Sequence, residues 1–304
     1  MAGTTEGRGA GGPVVGIVGL GIMGGAMARH LLAAGYEVVG HDVAEAPAAA
    51  FTEAGGSTLD SAAAVASAAD AVILSLPSVA AFREVVGGRG GLASTAGARA
   101  RVVVDTSTMP LELKLAAHEE LAGHGLELLD CPVSGTGAQM AAKDAVFYTS
   151  GDPAALDLAE PILARCGKGV YRLGALGNGT RLKVVANHLV TIHNASAAEA
   201  MTLARHGGID PGVALEALVA GAGTSRMLEL RGPMMVAGTY QPPTMKVDVF
   251  MKDIEIITDF ARQVGCPLPV FAAAAQLHVA ALACGWGGAD TAAVHAVVER
   301  LAGD

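Results

Sequence analysis

Short valine-rich apolar runs alternate with alanine-rich helical stretches through the first half of the chain. Strands are predicted over Val14–Val18, Glu37–His41, Ala71–Leu76, Val102–Asp105, Leu126–Asp130, Val146–Thr149 and Val170–Leu173. Helices are predicted over Met23–Ala34, Ala46–Glu53, Ser61–Ala66, Val79–Val86, Leu111–Gly123 and Ala154–Arg165. Continuous apolar runs are the mark of strands buried on both faces. Strands that alternate with helices imply parallel strands joined by crossover helices. The pattern changes after Gly177. Neither Pro nor Gly interrupts Thr180 to Arg205, which predicts one helix of roughly 40 Å at about 1.5 Å per residue. Further helices are expected over Gly212–Ala220, Ser225–Leu230, Val247–Gln263, Val270–Cys284 and Ala289–Leu301.

Three glycines add chemistry to this pattern. Gly19, Gly21 and Gly24 follow the first apolar run and open the first helix, a GxGxxG spacing in strand–turn–helix context. Gly19 permits the tight turn, Gly21 lets backbone approach a pyrophosphate, and Gly24 lets helix and strand pack closely. The N–H groups at the helix start, around Ile22 and Met23, and the partial positive charge there suit phosphates. Asp42 ends the second apolar run about twenty residues on, where a carboxylate can accept hydrogen bonds from a ribose 2′-hydroxyl. That carboxylate would repel a 2′-phosphate, and Val43 and Ala44 follow it rather than an Arg. NAD is therefore expected over NADP. A glycine turn that only packs, a site for another dinucleotide or a methyl donor, and a turn-capping role for Asp42 are the other readings of these residues. The expected fold class is α/β. A Rossmann-type doubly wound sheet would occupy 14–176, after a Gly-rich disordered tail over 1–13. An all-helical substrate and oligomerisation part would occupy 177–304, with the long helix joining the two.

Composition narrows the partners. The 304 residues suit two domains with ample core. The net charge of −9, with Lys and Arg scattered, argues against a nucleic-acid partner. Cys131, Cys166, Cys266 and Cys284 lie far apart without a CxxC, which fits a reduced, cytoplasmic setting. The opening residues lack the apolar core of a signal peptide. Leu268–Cys284 contains Pro269, Gln276 and His278, and reads as a buried helix rather than a membrane span. No His, Asp or Glu cluster has metal spacing, so no metal is expected. His188 and His193 read as structural.

Four further segments carry candidate chemistry. Leu76-Pro77 and Asp105-Thr106-Ser107-Thr108 sit at strand C-termini, the edge that lines the cofactor cleft of a doubly wound sheet. The hydroxyls of the second can reach a nicotinamide ribose or amide; ordinary turn chemistry accounts equally for both segments. Asp130-Cys131-Pro132-Val133-Ser134-Gly135-Thr136-Gly137 reads as a loop whose N–H groups and Ser134 hydroxyl can bind a carboxylate. Cys131 is open to oxidation there if it is exposed. Lys183 and Asn187 share one face of the long helix. Partial burial would lower the pKa of Lys183, and such an amine can take or return a hydroxyl proton; a snorkelling helical Lys is the commoner use of the residue. Lys252-Asp253, later, offers a contact to cofactor or substrate, or a solvated pair.

Taken in order, GLGIMGGAMARHL, Leu76-Pro77, DTST, DCPVSGTGA, GNGTRLKVVAN and MKDIEI resemble the β-hydroxyacid dehydrogenase family, the group of 3-hydroxyisobutyrate dehydrogenase and tartronate semialdehyde reductase. The resemblance spans Val14 to Val298. It implies reversible hydride transfer between NAD and a small 3-hydroxyacid. Lys183 would be the catalytic lysine and Asn187 its partner. Ser134, Gly135 and Thr136 would hold the substrate carboxylate, and Thr108, Leu76, Pro77 and Lys252 would lie on the nicotinamide side. It also implies a 6-phosphogluconate dehydrogenase-like helical C-terminal part and assembly into a homodimer or homotetramer, while the hydropathy pattern leads to the expectation of no membrane partner.

The chain departs from the family pattern in places. Ala142-Lys143-Asp144 stands where relatives carry a small-residue GxL segment, Arg226 where many have Trp, and Met245 where many have Phe. Arg226 and Arg231, with Lys246, could bind a second anionic or polar group. A substrate more polar than 3-hydroxyisobutyrate, such as a glycerate-, threonate- or dicarboxylate-like acid, is then expected; a surface role for Arg226 is the other reading. An NADPH-dependent semialdehyde or imine reductase and a non-catalytic dinucleotide-binding scaffold are the rival readings. Retention of Lys183, with Asp42, weighs against the first, and Lys183 with Asn187 weighs against the second.

Overall fold

The structure, a computed structural model, describes residues 13–95 and 97–303. The tail expected over 1–13 lies, Pro13 apart, outside the described residues. The chain divides after Lys183 into two compact units.

The first unit opens with β1 (Val14–Val18), α1 (Ile22–Ala33), β2 (Glu37–His41), α2 (Glu45–Glu53), β3 (Ser57–Thr58) and α3 (Ala62–Ala68). It continues with β4 (Ala71–Leu74), α4 (Val79–Gly87), β5 (Val102–Asp105), α5 (Leu111–Ala122) and β6 (Glu127–Asp130). These strands form one parallel sheet in the order β3-β2-β1-β4-β5-β6. Strand order reverses between β1 and β4, and open α/β sheets bind ligands beyond the strand ends at such a point. Burial accounts for the apolar runs, because alternate side chains face opposite sides of a sheet. Val15, Ile17, Ile73, Val104 and Leu129 pack with α1 residues Met27 and Leu31. Val18, Val72, Leu74, Val103 and Leu128 pack on the other side with Val65, Phe82 and Leu121 of α3, α4 and α5. The exposed pair Ser57-Thr58 has no apolar run to announce it as a strand.

Beyond β6 the expectation of one parallel sheet fails. β7 (Val133–Ser134), α6 (Gly137–Ala141), β8 (Val146–Thr149), α7 (Pro153–Leu163) and β9 (Gly169–Arg172) follow. They include a separate sheet, β7-β8-β9, in which β7 runs antiparallel to β8 and β8 parallel to β9. Asp130 and Ser150 exchange backbone hydrogen bonds of 3.0 and 2.9 Å. This antiparallel bridge occupies the C-terminal end of β6. The segment read as one loop, Asp130–Gly137, thus contains a strand and the start of a helix.

α8 (Asn178–His206) begins in the first unit and runs on through the second. The second unit adds α9 (Pro211–Ala220), α10 (Arg226–Ala237), α11 (Val247–Gln263), α12 (Pro269–Ala283) and α13 (Val294–Ala302). Its core joins Ala198 and Met201 of α8 to Leu228, Met235, Val247 and Val294. α10 outruns its expected end at Leu230. Ser225 caps its start by accepting from the Leu228 N–H at 3.1 Å. The helix then carries Pro233 internally, giving up one backbone bond while burying Leu228 and Met235. A 3₁₀ turn at Thr291–Ala293 stands where the last helix was expected to begin. α12 buries one stripe, through Phe271, Ala275 and His278, and leaves Val270 and Leu282 exposed. Among the described residues no helix is long and apolar enough to cross a membrane.

Candidate active site

The glycine turn leaves the C-terminal end of β1 at the switch point. Each glycine has a distinct geometric cause. A Cβ on Gly19, whose φ is +90°, would lie 2.2 Å from the Ser75 carbonyl oxygen, and one on Gly24 would lie 1.9 Å from that of Gly19. A Cβ on Gly21 would meet nothing within 4 Å. The first two glycines close the turn against β4 and α1, and the third keeps an open approach in front of the α1 N-terminus. Gly21 is the N-cap there and no side chain caps the helix. A pyrophosphate fits this arrangement, since open space and N–H donors coincide. Ile22 is exposed at this helix start and Met23 is half-buried.

Asp42 fulfils the capping role and faces the same turn. One carboxylate oxygen accepts from the Leu20 N–H at 2.7 Å and the other from the Ala44 N–H at 2.8 Å. Each oxygen keeps a further lone pair, so clamping the turn does not exhaust its capacity to hold a ribose hydroxyl.

The loops after β4 and β5 are tied to each other. Leu76 N–H donates to Ser107 Oγ at 2.9 Å, and Thr106 Oγ1 donates to the Leu74 carbonyl at 2.6 Å. Two of the three hydroxyls expected to reach the nicotinamide are therefore buried and spent on the scaffold. Thr108 is half-buried, Leu76 half-buried and Pro77 exposed.

The expected carboxylate loop packs against the glycine turn. A Cβ on Gly137 would lie 2.3 Å from Ile22 Cγ2, and His30 Nε2 makes a 2.8 Å hydrogen bond to the Met140 carbonyl. Ser134 ends β7 and Gly135 follows it. Thr136 and Gln139 form a capping box at α6: Thr136 N–H donates to Gln139 Oε1 at 2.9 Å, and Gln139 N–H to Thr136 Oγ1 at 3.3 Å. The Thr136 N–H is thus occupied, and what Thr136 can offer a substrate is its hydroxyl proton.

Lys183 lies half-buried near the start of α8, with Asn187 buried one turn later. Beneath this helix start is a charged cluster that the sequence reading missed. Lys114 of α5 is fully buried, and its Nζ lies 2.9 Å from Asp105 Oδ2 and 2.8 Å from Asp130 Oδ1. The two aspartates end neighbouring strands in register. Lys114 also donates to the Ser107 carbonyl at 2.8 Å. Asp130 accepts from the Thr180 N–H at 2.7 Å and from Thr180 Oγ1 at 2.8 Å. Burial disfavours the Lys114 ammonium, but the two carboxylates outweigh it and hold its pKa above the ordinary lysine value. Burial lifts the Asp105 carboxyl above the usual range. A sequence signal existed: Lys114 shares a helical stripe with buried Ala117 and Leu121.

The remaining candidates lie in the second unit. Lys252 is half-buried on α11, 3.9 Å from Asp253 Oδ1; Asp253 is buried, so the two are not a solvated surface pair. Arg226 is exposed and bonded to Glu229 at 2.7 Å. Arg231 cannot serve as an anion ligand as expected: it is buried, with Nε 3.0 Å from Asp290 Oδ1. Asp290 also accepts from Thr244 and Met245, which fixes the segment leading into α11. Lys246 is exposed at the start of α11. His188 stacks on Phe271 with centroids 5.6 Å apart, a packing role. Cys131 is buried and its thiol is pushed far up by that burial, which removes the basis for facile oxidation. Among the described residues no group of three or more His, Cys, Asp or Glu could hold a metal ion.

Comparison with known proteins gives a consistent result. Residues 14–175 match the family described as the NAD binding domain of 6-phosphogluconate dehydrogenase. Residues 177–298 match that described as NAD-binding of NADP-dependent 3-hydroxyisobutyrate dehydrogenase. The chain is 37% identical to L-threonate dehydrogenase of Cupriavidus necator over 92% of this chain and 94% of that protein. It is 30% identical to 2-(hydroxymethyl)glutarate dehydrogenase of Eubacterium barkeri over 95% and 96%. The crystal structure of a 3-hydroxyisobutyrate dehydrogenase from Salmonella typhimurium superimposes with a TM-score of 0.84 at 32% identity, covering 94% of this chain and 100% of that one.

Proposed function

We propose a mechanism and a substrate from the premise that this chain belongs to the β-hydroxyacid dehydrogenase family, whose members are NAD(P)-dependent oxidoreductases of small 3-hydroxyacids. When bound, the nicotinamide dinucleotide supplies the hydride acceptor for oxidation and the donor for reduction. Gly19, Gly21, Ile22, Met23 and Gly24 hold its pyrophosphate, Asp42 its adenosine ribose, and Leu76, Pro77 and Thr108 its nicotinamide side. Lys183 Nζ takes the proton of the substrate hydroxyl as the carbonyl forms, and returns it in reduction. Asn187, one turn on along the same helix face, steadies that oxygen. Ser134, Gly135 and Thr136 bind the carboxylate. The observation that carries this reading is that one compact unit contains the open glycine turn, the 134–137 segment packed on Ile22, and the α8 start bearing Lys183.

The cofactor in this reading is NAD. Asp42 carries negative charge to the ribose position, and Val43 and Ala44 offer a 2′-phosphate no cation. The substrate is a polar 3-hydroxyacid of the threonate or glycerate kind; the likeness to an L-threonate dehydrogenase and to a dehydrogenase of a dicarboxylic acid supports that choice. Four free cysteines support a cytoplasmic setting. Exposed Val270 and Leu282 on α12 support association into a dimer or tetramer.

Specificity constants for L-threonate, glycerate, 3-hydroxyisobutyrate and 2-(hydroxymethyl)glutarate, each with NAD and NADP, test the assignment. The polar acids with NAD are expected to lead; preference for 3-hydroxyisobutyrate, or for NADP, would overturn the respective half. Lys183→Met should lower kcat by ~10²–10⁴-fold while NADH still binds. Turnover like that of the unmodified protein would remove Lys183 from the mechanism.

A further inference from the structure

The buried Lys114 cluster lies outside every role assigned so far, and its connections run to the segments after β4, β5 and β6 and to the start of α8. Lys114 Nζ touches Asp105 and Asp130, which close β5 and β6, and the Ser107 carbonyl. Ser107 Oγ in turn accepts from the Leu76 N–H, so the loops after β4 and β5 hang from the same ammonium. On the other side, Asp130 receives both the N–H and the hydroxyl of Thr180, three residues before Lys183. Ser150 Oγ donates to Asp130 and accepts from the Gly179 N–H at 2.9 Å. A Cβ on Gly179 would lie 2.5 Å from the Tyr148 carbonyl and 2.6 Å from that of Asp130. The first turn of α8 is thus pressed directly onto the ends of β6 and β8.

Asp105, Asp130 and Lys114 meet with no exposure at any of the three. Buried charge persists only where it is paired and hydrogen-bonded. Asp130 is met by the N-terminus of a 29-residue helix, whose partial positive charge and Thr180 N–H point at it, while the Gly179 N–H bonds to Ser150. A buried ion cluster is a poor source of net stability against an apolar replacement, and it is better suited to fixing one arrangement.

We infer that the Lys114–Asp105–Asp130 cluster, acting through Thr180 and Ser150, is a positioning device that sets the height and rotation of Lys183 against the loops at the ends of β4 and β5. The inference rests on the reading of Lys183 as the proton-transferring group. Lys114 itself touches neither substrate nor cofactor in this account.

Thr180→Val keeps the β-branched shape and removes the hydroxyl donor to Asp130, whereas Thr180→Ser keeps the donor. Ser150→Ala loosens the same joint from the other side with a smaller change in packing. Each variant is assayed with the hydroxyacid and dinucleotide of highest turnover, for kcat and KM separately, together with the NADH dissociation constant and amide hydrogen exchange over residues 179–183. A displacement of the amine of about 1 Å is worth ~100-fold in rate. Thr180→Val and Ser150→Ala should therefore lose ~10–100-fold in kcat and exchange faster at the helix start, with KM and the NADH constant within about threefold and Thr180→Ser restoring kcat. Unchanged kcat in Thr180→Val overturns the inference. If Thr180→Val does not fold, unchanged kcat in Ser150→Ala does so. Loss of NADH binding in step with kcat, without rescue by Ser, also overturns it. Lys183→Met separates the two levels: if it remains active the mechanism itself falls, and if it is inactive while Thr180→Val is not, only the positioning role falls.

Discussion

Alanine substitutions at Gly21 and Gly24 should fail in opposite ways, and the difference follows from where each Cβ would go. At Gly24 the new carbon would sit 1.9 Å from the Gly19 carbonyl oxygen and 3.3 Å from Ser75 Cβ. The first contact is to backbone, so no side chain can swing aside. The start of α1 must open by roughly 1.5 Å to restore an ordinary contact, and overpacking of this kind costs about 1–3 kcal/mol. At ~2–4 °C per kcal/mol for a unit of this size, Gly24→Ala should lower the melting temperature by ~2–12 °C. At Gly21 the carbon would meet nothing within 4 Å, and φ −63°, ψ −160° is extended backbone that alanine adopts. Gly21→Ala should melt no lower than the unmodified protein, and higher by as much as ~0.4–1 kcal/mol of lost unfolded-state freedom allows. The methyl instead fills the approach to the α1 N–H groups. Losing one hydrogen bond to a charged phosphate is worth about 1.5–3 kcal/mol, hence ~10–100-fold in the NADH dissociation constant. Thermal melts by circular dichroism and NADH titration by fluorescence measure the two quantities independently. NADH binding by Gly21→Ala as tight as that of the unmodified protein would refute the placement of the pyrophosphate, as would a Gly21→Ala melting loss equal to that of Gly24→Ala.

Two further outcomes concern the helical unit. Arg231→Met leaves Asp290 buried with its backbone and Thr244 donors but without its cation, and removal of one member of a buried pair costs about 3 kcal/mol or more; urea unfolding that matches the unmodified protein would discount the pair. His278 is buried on α12, and that burial pushes its pKa down from 6.5 to about 4. The folded protein keeps it neutral while the unfolded chain takes up a proton, so its contribution to stability is complete above pH 6.5 and is lost as pH falls toward 4. The difference in pKa amounts to about 3 kcal/mol, and His278→Leu should flatten the unfolding free energy from urea titrations between pH 6.5 and 4 by that much; an unchanged slope would show that other groups govern the acid limb.

What was legible in the sequence was whatever depends on neighbours along the chain. β1, α1 and the glycine turn could be read because the apolar run, the spacing of the three glycines and the helix follow one another within twenty-odd residues. α8 was legible from the absence of breakers. The T-x-x-Q capping box of Thr136 and Gln139 was equally local and was overlooked, which is why the 130–137 segment read as an open loop with all of its N–H groups available. The second sheet was beyond such reading. Val146–Thr149 has the same apolar pattern as the strands before it, and only its pairing with Val133–Ser134 sets its direction and removes it from the main sheet.

The charged residues make the same distinction more sharply. Arg226 and Arg231 lie five positions apart on one helix and looked interchangeable as anion ligands; one is exposed and the other is sealed against an aspartate 59 positions away. Nothing local separates them. Lys114 is different, because it occupies the stripe that also buries Ala117 and Leu121, and a lysine there must either break the helix's fit to the sheet or find carboxylates inside. The demand can be read from the helix alone. Its answer, two aspartates at matching ends of adjacent strands, needs the strand register. A buried cation predicted from periodicity is therefore a statement about the sheet beneath it. In this chain it marks the strand ends on which α8 begins, a few residues before Lys183.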